Sequence, residues 1–139
     1  MNWKAREAQR WLTQAFRDLE AARKLLLQEE YNWVCFIAQQ AAEKAVKAVH
    51  LARGESVERI HSIFALIKGD RRAGVSAIGE LAALLEEARN LDKVYIPTRY
   101  PNGVPFGIPA DFYSRENGEE CIVWAEKIIE AVRDILGST

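Results

Sequence analysis

The residues best suited to chemistry fall in two separate runs of this sequence, and the first lies in a predicted helix over Tyr31–Ala52. Gln40, Glu43, Lys44 and Lys47 fall on one arc of that helix, at about 100° per residue. The arc carries an amide, a carboxylate and two ammonium groups, and Glu43 with Lys47 forms a favourable i, i+4 pair. Two interpretations stay open: a solvated helix face, or a pocket wall suited to phosphate or nucleotide.

The second run lies in residues 92–113, which hold Tyr95, Arg99 and Tyr100 together with all four prolines. Arginine is permanently charged and planar, which suits bidentate phosphate binding, and tyrosine can stack on a base or donate a hydrogen bond. Arg99 could instead cap helix carbonyl groups at the bundle end. The prolines exclude a continuous helix, and five aromatic residues predict an ordered loop that either carries function or merely connects two helices.

Histidine is scarce, which restricts both metal binding and catalysis. His50 lies late in the second predicted helix, where its charge would complement the helix C-terminus, and His61 lies at the entry to the third. His61 is a candidate base, and its structural alternative is helix capping or packing. No third ligand with suitable spacing accompanies either histidine, so we expect no metal ion and no cofactor. The nucleophile-elbow, P-loop and dinucleotide-binding motifs are also absent from the sequence.

The hydrophobic pattern predicts an all-α fold in one domain spanning residues 1–139, a length typical of a single domain. Connections between the predicted helices are mostly short. We therefore expect an up-and-down antiparallel bundle of four to five helices with one long Pro/Gly-rich ordered loop. The predicted helices cover Trp3–Leu27, Tyr31–Ala52, Ser62–Lys68, Val75–Leu91 and a last segment that begins near Ser114.

Composition limits the partners of the chain. Nineteen Lys and Arg residues oppose twenty Asp and Glu residues, for a net charge of −1, which argues against binding nucleic acid or membrane by bulk charge but allows a local basic patch. The longest apolar candidate, residues 37–51, contains Glu43, Lys44 and Lys47, so we expect no membrane span. Cys35 and Cys121 belong to no CxxC spacing, which favours a reduced, cytoplasmic protein.

Three motifs together resemble the HEPN domain family (higher eukaryotes and prokaryotes nucleotide-binding). They are the run from Phe36 to Val49, FIAQQAAEKAVKAV, then His61-Ser-Ile, then Tyr95-Ile-Pro-Thr-Arg-Tyr-Pro. The early run Asp18-Leu19-Glu20-Ala21-Ala22 also resembles the first helix of that family. The resemblance implies a helical bundle that forms a homodimer. For small prokaryotic members it further implies a toxin–antitoxin pair with a minimal nucleotidyltransferase.

The resemblance also bears on catalysis, because several HEPN branches are metal-independent ribonucleases that use an Arg, four to six residues, then His. Here seven residues separate Arg53 from His61, one separates Arg59 from His61, and no His follows Arg99, so that motif is absent. The remaining hypothesis is a composite site. In it His61 would act on the 2′-hydroxyl, and Arg99 or Lys47 would stabilise the developing phosphorane charge.

These observations lead to one expected function and two alternatives. We expect a module that binds nucleotide or RNA phosphate within a HEPN/nucleotidyltransferase pair. The alternatives are a metal-independent ribonuclease toxin with a divergent site, in which Arg99 and His61 are catalytic, and a non-catalytic helical scaffold. Trp3 and Trp33 need not both fit one small core, which is compatible with the homodimer. The expected ligand-binding residues are Gln40, Glu43, Lys44, Lys47, Tyr95 and Tyr100.

Overall fold

The computed structural model describes residues 2–137, and they form an all-helical bundle, as the hydrophobic pattern predicts. Within this part of the chain there is no strand, and one isolated bridge pairs Asp70 with Val75. No helix in residues 2–137 is long and apolar enough to cross a membrane. The α-helices are α1 (Trp3–Leu27), α2 (Tyr31–Ala52), α3 (Ile63–Lys68), α4 (Leu85–Asp92), α5 (Pro109–Phe112) and α6 (Arg115–Gly137), with 3-10 helices at Gly79–Leu84 and Pro101–Gly103.

The three long helices α1, α2 and α6 form the core of the bundle. An ion pair joins Asp18 to Lys44, which ties α1 to α2, its antiparallel neighbour. A second ion pair joins Arg23 to Glu126, and further along α6 the Arg133 guanidinium lies over the Phe16 ring. Since α6 also runs antiparallel to α1, α2 and α6 are parallel to each other.

Helix α2 is the central element, because α1, α3, α4 and α6 all pack against it. Its small side chains let these neighbours approach closely, and the alanines at 38, 41, 42, 45 and 48 are completely buried. A helix surrounded in this way has no fully solvated face. Its polar residues must therefore find hydrogen-bond partners inside the protein.

The predicted fourth helix, Val75–Leu91, is wrong in its first half. Residues 75–78 are extended, because Val75 exchanges backbone hydrogen bonds with Asp70 and the Ile78 amide donates to the Ile67 carbonyl at 2.8 Å. The chain then continues as the 3-10 helix Gly79–Leu84, and the α-helix begins only at Leu85. Three apolar residues that set the helical period of this segment are nevertheless buried, so the apolar pattern identified core residues despite the different backbone; they are Ile78, Leu81 and Ala88.

The segment between α4 and α6 is an ordered loop, but its aromatic residues are not its main anchors. Phe106 is 79% exposed, whereas Thr98 is completely buried. The Asn32 amide of α2 donates to the Thr98 carbonyl at 3.0 Å, and the Thr98 hydroxyl donates to the Val94 carbonyl at 2.6 Å. These polar contacts tie the loop to the start of α2, so buried hydrogen bonds rather than ring burial hold this side of the loop.

A close approach between helices in the core gives a first prediction. A Cβ atom on Gly118 of α6 would lie 3.1 Å from Leu26 Cδ1 and 3.3 Å from Val34 Cγ1. Gly118→Val should therefore lower the free energy of unfolding by about 1–3 kcal/mol through overpacking. Urea denaturation measures the change. The control is Gly79→Ala, where a Cβ meets nothing within 4 Å. Equal stability of the Gly118→Val variant and wild type would show that α1, α2 and α6 do not meet at this point.

Candidate functional site

The two charged residues Glu43 and Lys47 of the polar arc of α2 are buried, so the interpretation of the arc as a solvated face is wrong for this pair. Gln39 is completely buried, Glu43 is 4% exposed and Lys47 is 2% exposed. The segment 57–61 and the residues before α3 cover this side of the helix, as the contacts below show. An unpaired charge buried to this degree would cost several kcal/mol, so the charged groups must be paired and hydrogen-bonded.

The Glu43 carboxylate is the centre of what we call the polar cluster, made of Gln39, Glu43, Lys47 and His61. Lys47 Nζ donates to Glu43 Oε2 at 3.0 Å, and Gln39 Nε2 lies 3.4 Å from Glu43 Oε1. His61 Nδ1 lies 3.3 Å from the same Oε2 atom that Lys47 contacts. Both carboxylate oxygens therefore have partners, which is the condition for keeping this charge inside the protein.

Two backbone carbonyl groups complete the polar cluster and join α2 to the segment before α3. Lys47 Nζ also donates to the Glu58 carbonyl at 3.0 Å, and Gln39 Nε2 donates to the His61 carbonyl at 3.2 Å. Side chains of α2 thus hold the main chain that carries His61. The position of His61 is a consequence of the polar residues buried on α2.

His61 is the member of the polar cluster that reaches solvent, with half of its side chain exposed. A carboxylate accepts hydrogen bonds, so the Glu43 contact favours the tautomer in which Nδ1 carries the proton. Neutral His61 then has a lone pair on Nε2, and within residues 2–137 no hydrogen bond occupies that atom. Glu43 and His61 together have the geometry of an oriented base: the Glu43 carboxylate contacts Nδ1 of the imidazole, and Nε2 is left without a hydrogen bond.

Asp92, at the end of α4, also fixes the segment that carries His61. Its carboxylate accepts from the Ser62 hydroxyl at 2.8 Å, from the Ile63 amide at 2.8 Å and from the Phe64 amide at 3.0 Å. The Ser62 hydroxyl in turn caps the first turn of α3. Asp92 therefore places a negative charge at the start of α3 and orders the residues that directly follow His61.

A second group, which we call the aromatic–arginine cluster, consists of Phe36, Tyr95, Arg99 and Tyr100. The Arg99 guanidinium carbon lies 4.4 Å from the Phe36 ring centroid, 4.7 Å from that of Tyr95 and 5.0 Å from that of Tyr100. Arg99 Nε donates to the Tyr95 carbonyl at 3.0 Å, so the side chain does contact a carbonyl group, but inside its own loop. Its terminal nitrogens form no hydrogen bond with any residue of the range 2–137.

Tyr95 joins the two clusters into one site. Its ring stacks on His61 with a centroid distance of 5.7 Å and an interplanar angle of 17°. The Tyr95 ring also stacks on Phe36 at 6.2 Å. The structure therefore brings together His61, Tyr95 and Arg99, three of the residues singled out in the sequence. A permanent cation and an oriented imidazole therefore contact the same aromatic ring.

The other predicted site residues occupy different positions. Gln40 is half-buried and donates to Gln39 Oε1 at 2.7 Å, so it lies beside the polar cluster. Tyr100 is 49% exposed at the outer edge of the aromatic–arginine cluster. Lys44 points toward α1, where it pairs with Asp18. The structure does not bring Lys44 into the polar cluster.

Phe36 and Gln39 are members of the site that the sequence did not single out as functional. A signal for Phe36 existed, because it precedes Gln40 by four residues and therefore lies on the same arc of α2. Gln39 carried the same signal, because it precedes Glu43 by four residues, but its hydrogen bond to the distant His61 carbonyl could not be predicted from spacing.

His50, at the far end of α2, stands apart from the site. It is completely buried, and its Nε2 lies 2.7 Å from the Leu66 carbonyl. This contact packs α3 onto α2, so His50 has a structural role in the bundle.

Within residues 2–137, no group of three His, Cys, Asp or Glu side chains is arranged to hold a metal ion. The available groups are a guanidinium, an imidazole with a carboxylate behind it, and aromatic rings. These groups bind anions, stack on planar rings and move protons.

Comparison with known proteins assigns the chain to a family. The HEPN domain family matches residues 8–135, nearly the whole chain. This chain belongs to the HEPN domain family. The protein named Putative toxin MJ1304, from Methanocaldococcus jannaschii, is 31% identical over 134 residues, which cover 93% of this chain and 88% of that protein.

Solved structures agree with this assignment. TT1696 from Thermus thermophilus is 43% identical, with a TM-score of 0.78 over 91% of this chain and 96% of that one. ST0689, an archaeal HEPN homologue, is 34% identical, with a TM-score of 0.72 over 93% and 97%. The HEPN domain protein tm0613 from Thermotoga maritima is also 34% identical, with a TM-score of 0.67 over 94% and 99%. The all-helical HEPN fold is therefore shown by both sequence and structure.

The buried pair of Glu43 and Lys47 gives a second prediction. Glu43→Ala should lower the free energy of unfolding by about 3–5 kcal/mol, because it leaves the Lys47 ammonium buried without its partner. The double variant Glu43→Leu, Lys47→Met removes both charges and should recover most of that loss. Chemical denaturation of the three proteins measures both effects. A double variant as unstable as Glu43→Ala would show that lost packing, and not an uncompensated charge, causes the destabilisation.

Proposed function

We propose that this HEPN protein binds a phosphate-bearing planar ligand, a nucleotide or a segment of RNA, at the surface formed by His61, Tyr95, Arg99 and Tyr100. One observation carries the proposal: the Arg99 guanidinium is held against three aromatic rings while its terminal nitrogens have no hydrogen-bond partner within residues 2–137. A guanidinium in this state can bind a phosphate through two parallel hydrogen bonds. The exposed Tyr100 ring, beside it, offers a face on which a base can stack.

The charge balance of the chain fits a local site of this kind. With a net charge of −1, the protein lacks the overall positive field of proteins that bind nucleic acid through many phosphate contacts. One preorganised arginine next to stacking surfaces instead favours few phosphate contacts and short ligands. We expect binding to weaken with salt, but with a shallow slope that reflects one or two contacts.

The binding proposal predicts a large effect of one substitution. Arg99→Ala should weaken the binding of a fluorescent nucleoside triphosphate or a short single-stranded RNA about tenfold to a hundredfold, since it removes hydrogen bonds to a charged group. Arg133→Ala is the matched control, because Arg133 also lies over an aromatic ring, that of Phe16, but on the face formed by α1 and α6. Fluorescence anisotropy measures both. Unchanged binding by Arg99→Ala would refute this site.

Metal-independent RNA cleavage is a second candidate function, and the contact between Glu43 and His61 favours it. The Nε2 atom of His61 has no hydrogen-bond partner within residues 2–137, and the Glu43 carboxylate contacts the Nδ1 atom of the same ring. The Tyr95 ring contacts both His61 and Arg99. In such a reaction His61 would take the proton from the 2′-hydroxyl, and the 2′-oxygen would attack the adjacent phosphorus. The bond from phosphorus to the 5′-oxygen would break, leaving a 2′,3′-cyclic phosphate, and the departing 5′-oxygen would take a proton from solvent. Arg99 would stabilise the negative charge that develops on the phosphoryl oxygens.

End-labelled RNA tests this second function in the presence of a chelator. If the protein is a ribonuclease, wild type cleaves without metal ions, and both His61→Ala and Arg99→Ala lose cleavage. The His61→Ala variant distinguishes the two functions, because it should retain most nucleotide binding but lose RNA cleavage. RNA that stays intact with wild type, together with nucleotide binding that depends on Arg99, would leave the protein a binding module.

The setting we propose is a toxin–antitoxin pair in the cytoplasm, in which this chain forms a homodimer and has a minimal nucleotidyltransferase as partner. The relative named Putative toxin MJ1304 supports the toxin role. Exposed rings at Trp33, 42% accessible, and Phe106, 79% accessible, support a protein partner, since such side chains are commonly covered in assemblies. A reading frame for a small nucleotidyltransferase beside this gene would support the pairing.

A further inference from the structure

A second group of cations lies over an aromatic ring outside the site described above. The Nζ atom of Lys68, in the last turn of α3, lies 5.4 Å from the Phe64 ring centroid, and the guanidinium carbon of Arg89, in α4, lies 5.1 Å from the same centroid. Both cationic side chains are exposed, and within residues 2–137 neither forms a hydrogen bond or an ion pair. We call this group, made of Phe64, Lys68 and Arg89, the Phe64 patch.

The Phe64 patch is continuous with the proposed binding site, because two short segments in contact carry both. At one end of these segments the His61 ring stacks on the Tyr95 ring at 5.7 Å. In the middle the Asp92 carboxylate accepts a hydrogen bond from the Phe64 amide at 3.0 Å. At the other end Arg89 lies over the Phe64 ring. The order of these contacts places the Phe64 patch next to His61.

The helical geometry of the second segment gives the scale of this arrangement. Arg89 lies about one turn before Asp92, and Tyr95 lies about one turn after it, where the Tyr95 amide donates to the Asp92 carbonyl at 3.3 Å. A rise of about 1.5 Å per residue separates Arg89 from Tyr95 by about 9 Å along the chain direction. This separation exceeds the size of one phosphate group and suits a ligand in which several phosphate groups follow one another.

The charges of the Phe64 patch favour an anion. Lys68 and Arg89 repel each other, since both are positive and both lie close to one ring. The Asp92 carboxylate is already occupied by donors at the start of α3. A phosphate group would neutralise both cations and accept hydrogen bonds from each, and long side chains over the same ring can converge on one such group.

We propose that the Phe64 patch is a second phosphate-binding subsite, and that the ligand is a short single-stranded RNA with one phosphate at Arg99 and a further one at the patch. The proposal rests on the proposed function, because the first phosphate is the one that Arg99 binds. Lys68 and Arg89 together hold one phosphate group. The protein then makes two phosphate contacts in total, which fits a net charge of −1.

Continuity with the Arg99 site favours RNA over an acidic protein as the ligand of the Phe64 patch. At both positions a cation lies over an aromatic ring, and its terminal nitrogens have no hydrogen-bond partner within residues 2–137. A ligand that meets both positions must carry negative groups in series. The sugar–phosphate backbone of a single strand has this property.

The experiment measures the binding of a fluorescent nucleoside monophosphate and of labelled single-stranded RNAs of increasing length by fluorescence anisotropy. The double variant Lys68→Ala, Arg89→Ala should bind the monophosphate as wild type does. It should bind the longer RNAs about tenfold more weakly, since it loses hydrogen bonds to a charged group. For these RNAs the slope of log Kd against log salt should become shallower by about 0.7, the value for one phosphate contact on a single strand.

The double variant Lys24→Ala, Arg133→Ala is the matched control, because it removes one exposed lysine and one exposed arginine from α1 and α6. It should bind every ligand as wild type does. An equal loss of RNA binding in the control would overturn the subsite, because the loss would then reflect net charge alone. Circular dichroism checks that both double variants are folded.

Arg99→Ala distinguishes a failure of this proposal from a failure of the proposed function. If Arg99→Ala loses binding of the monophosphate while Lys68→Ala, Arg89→Ala binds every RNA with wild-type affinity and salt slope, the Arg99 site stands and the subsite is refuted. An acidic protein surface would then be the better occupant of the Phe64 patch. If Arg99→Ala binds all ligands as wild type does, the proposed function fails, and the arrangement of two subsites fails with it.

Discussion

The structure depends on one buried charge, the Glu43 carboxylate of the central helix. The small residues of α2 let helices pack closely around it, so the carboxylate is almost entirely removed from water. It is stabilised by Lys47 on the same helix and by Gln39 and His61, and the cluster also takes in carbonyl groups from residues 58 and 61. The need to satisfy this charge thus determines where the segment before α3 must run, and with it the position of His61.

A second carboxylate, that of Asp92, extends this constraint to the loop. Asp92 binds the start of α3 directly after His61, and Tyr95 follows Asp92 by three residues. The Asp92 side chain therefore links the segment that carries the His61 imidazole to the loop that carries the Tyr95 ring. Thr98, fixed by Asn32 of α2, holds the next part of the loop and with it the neighbouring Arg99. Buried hydrogen bonds of α2 thus hold in place both segments that carry the site: Gln39 bonds to the carbonyl of His61, and Asn32 bonds to the carbonyl of Thr98, next to Arg99.

Preorganisation is the physical basis of the anion site that we propose in a chain of near-zero net charge. The rings of Phe36, Tyr95 and Tyr100 contact the Arg99 guanidinium, so little side-chain entropy would remain to be lost on binding a phosphate. His61 lies at the other end of this surface, stacked on Tyr95. The arginine-and-histidine spacing typical of HEPN ribonucleases is absent from the sequence, yet an arginine and a histidine from two different segments both contact the Tyr95 ring.

The sequence by itself determined the helical class and most helix boundaries, because periodic apolar positions and capping residues act locally. Its motifs at residues 36–49, 61–63 and 95–101 carried the resemblance to the family. It also identified His61, Arg99, Tyr95 and Glu43 as chemically interesting. Only the tertiary structure decided that Glu43 and Lys47 are buried, that Lys44 turns away to Asp18, and that Phe36 and Gln39 belong to the site. Residues 75–78, predicted as helix, became extended through pairing with Asp70 and Ile67. All of these differences have the same physical reason. Burial and long-range hydrogen bonds depend on which segments pack together, and the periodicity of residues along one helix carries no information about its packing partners.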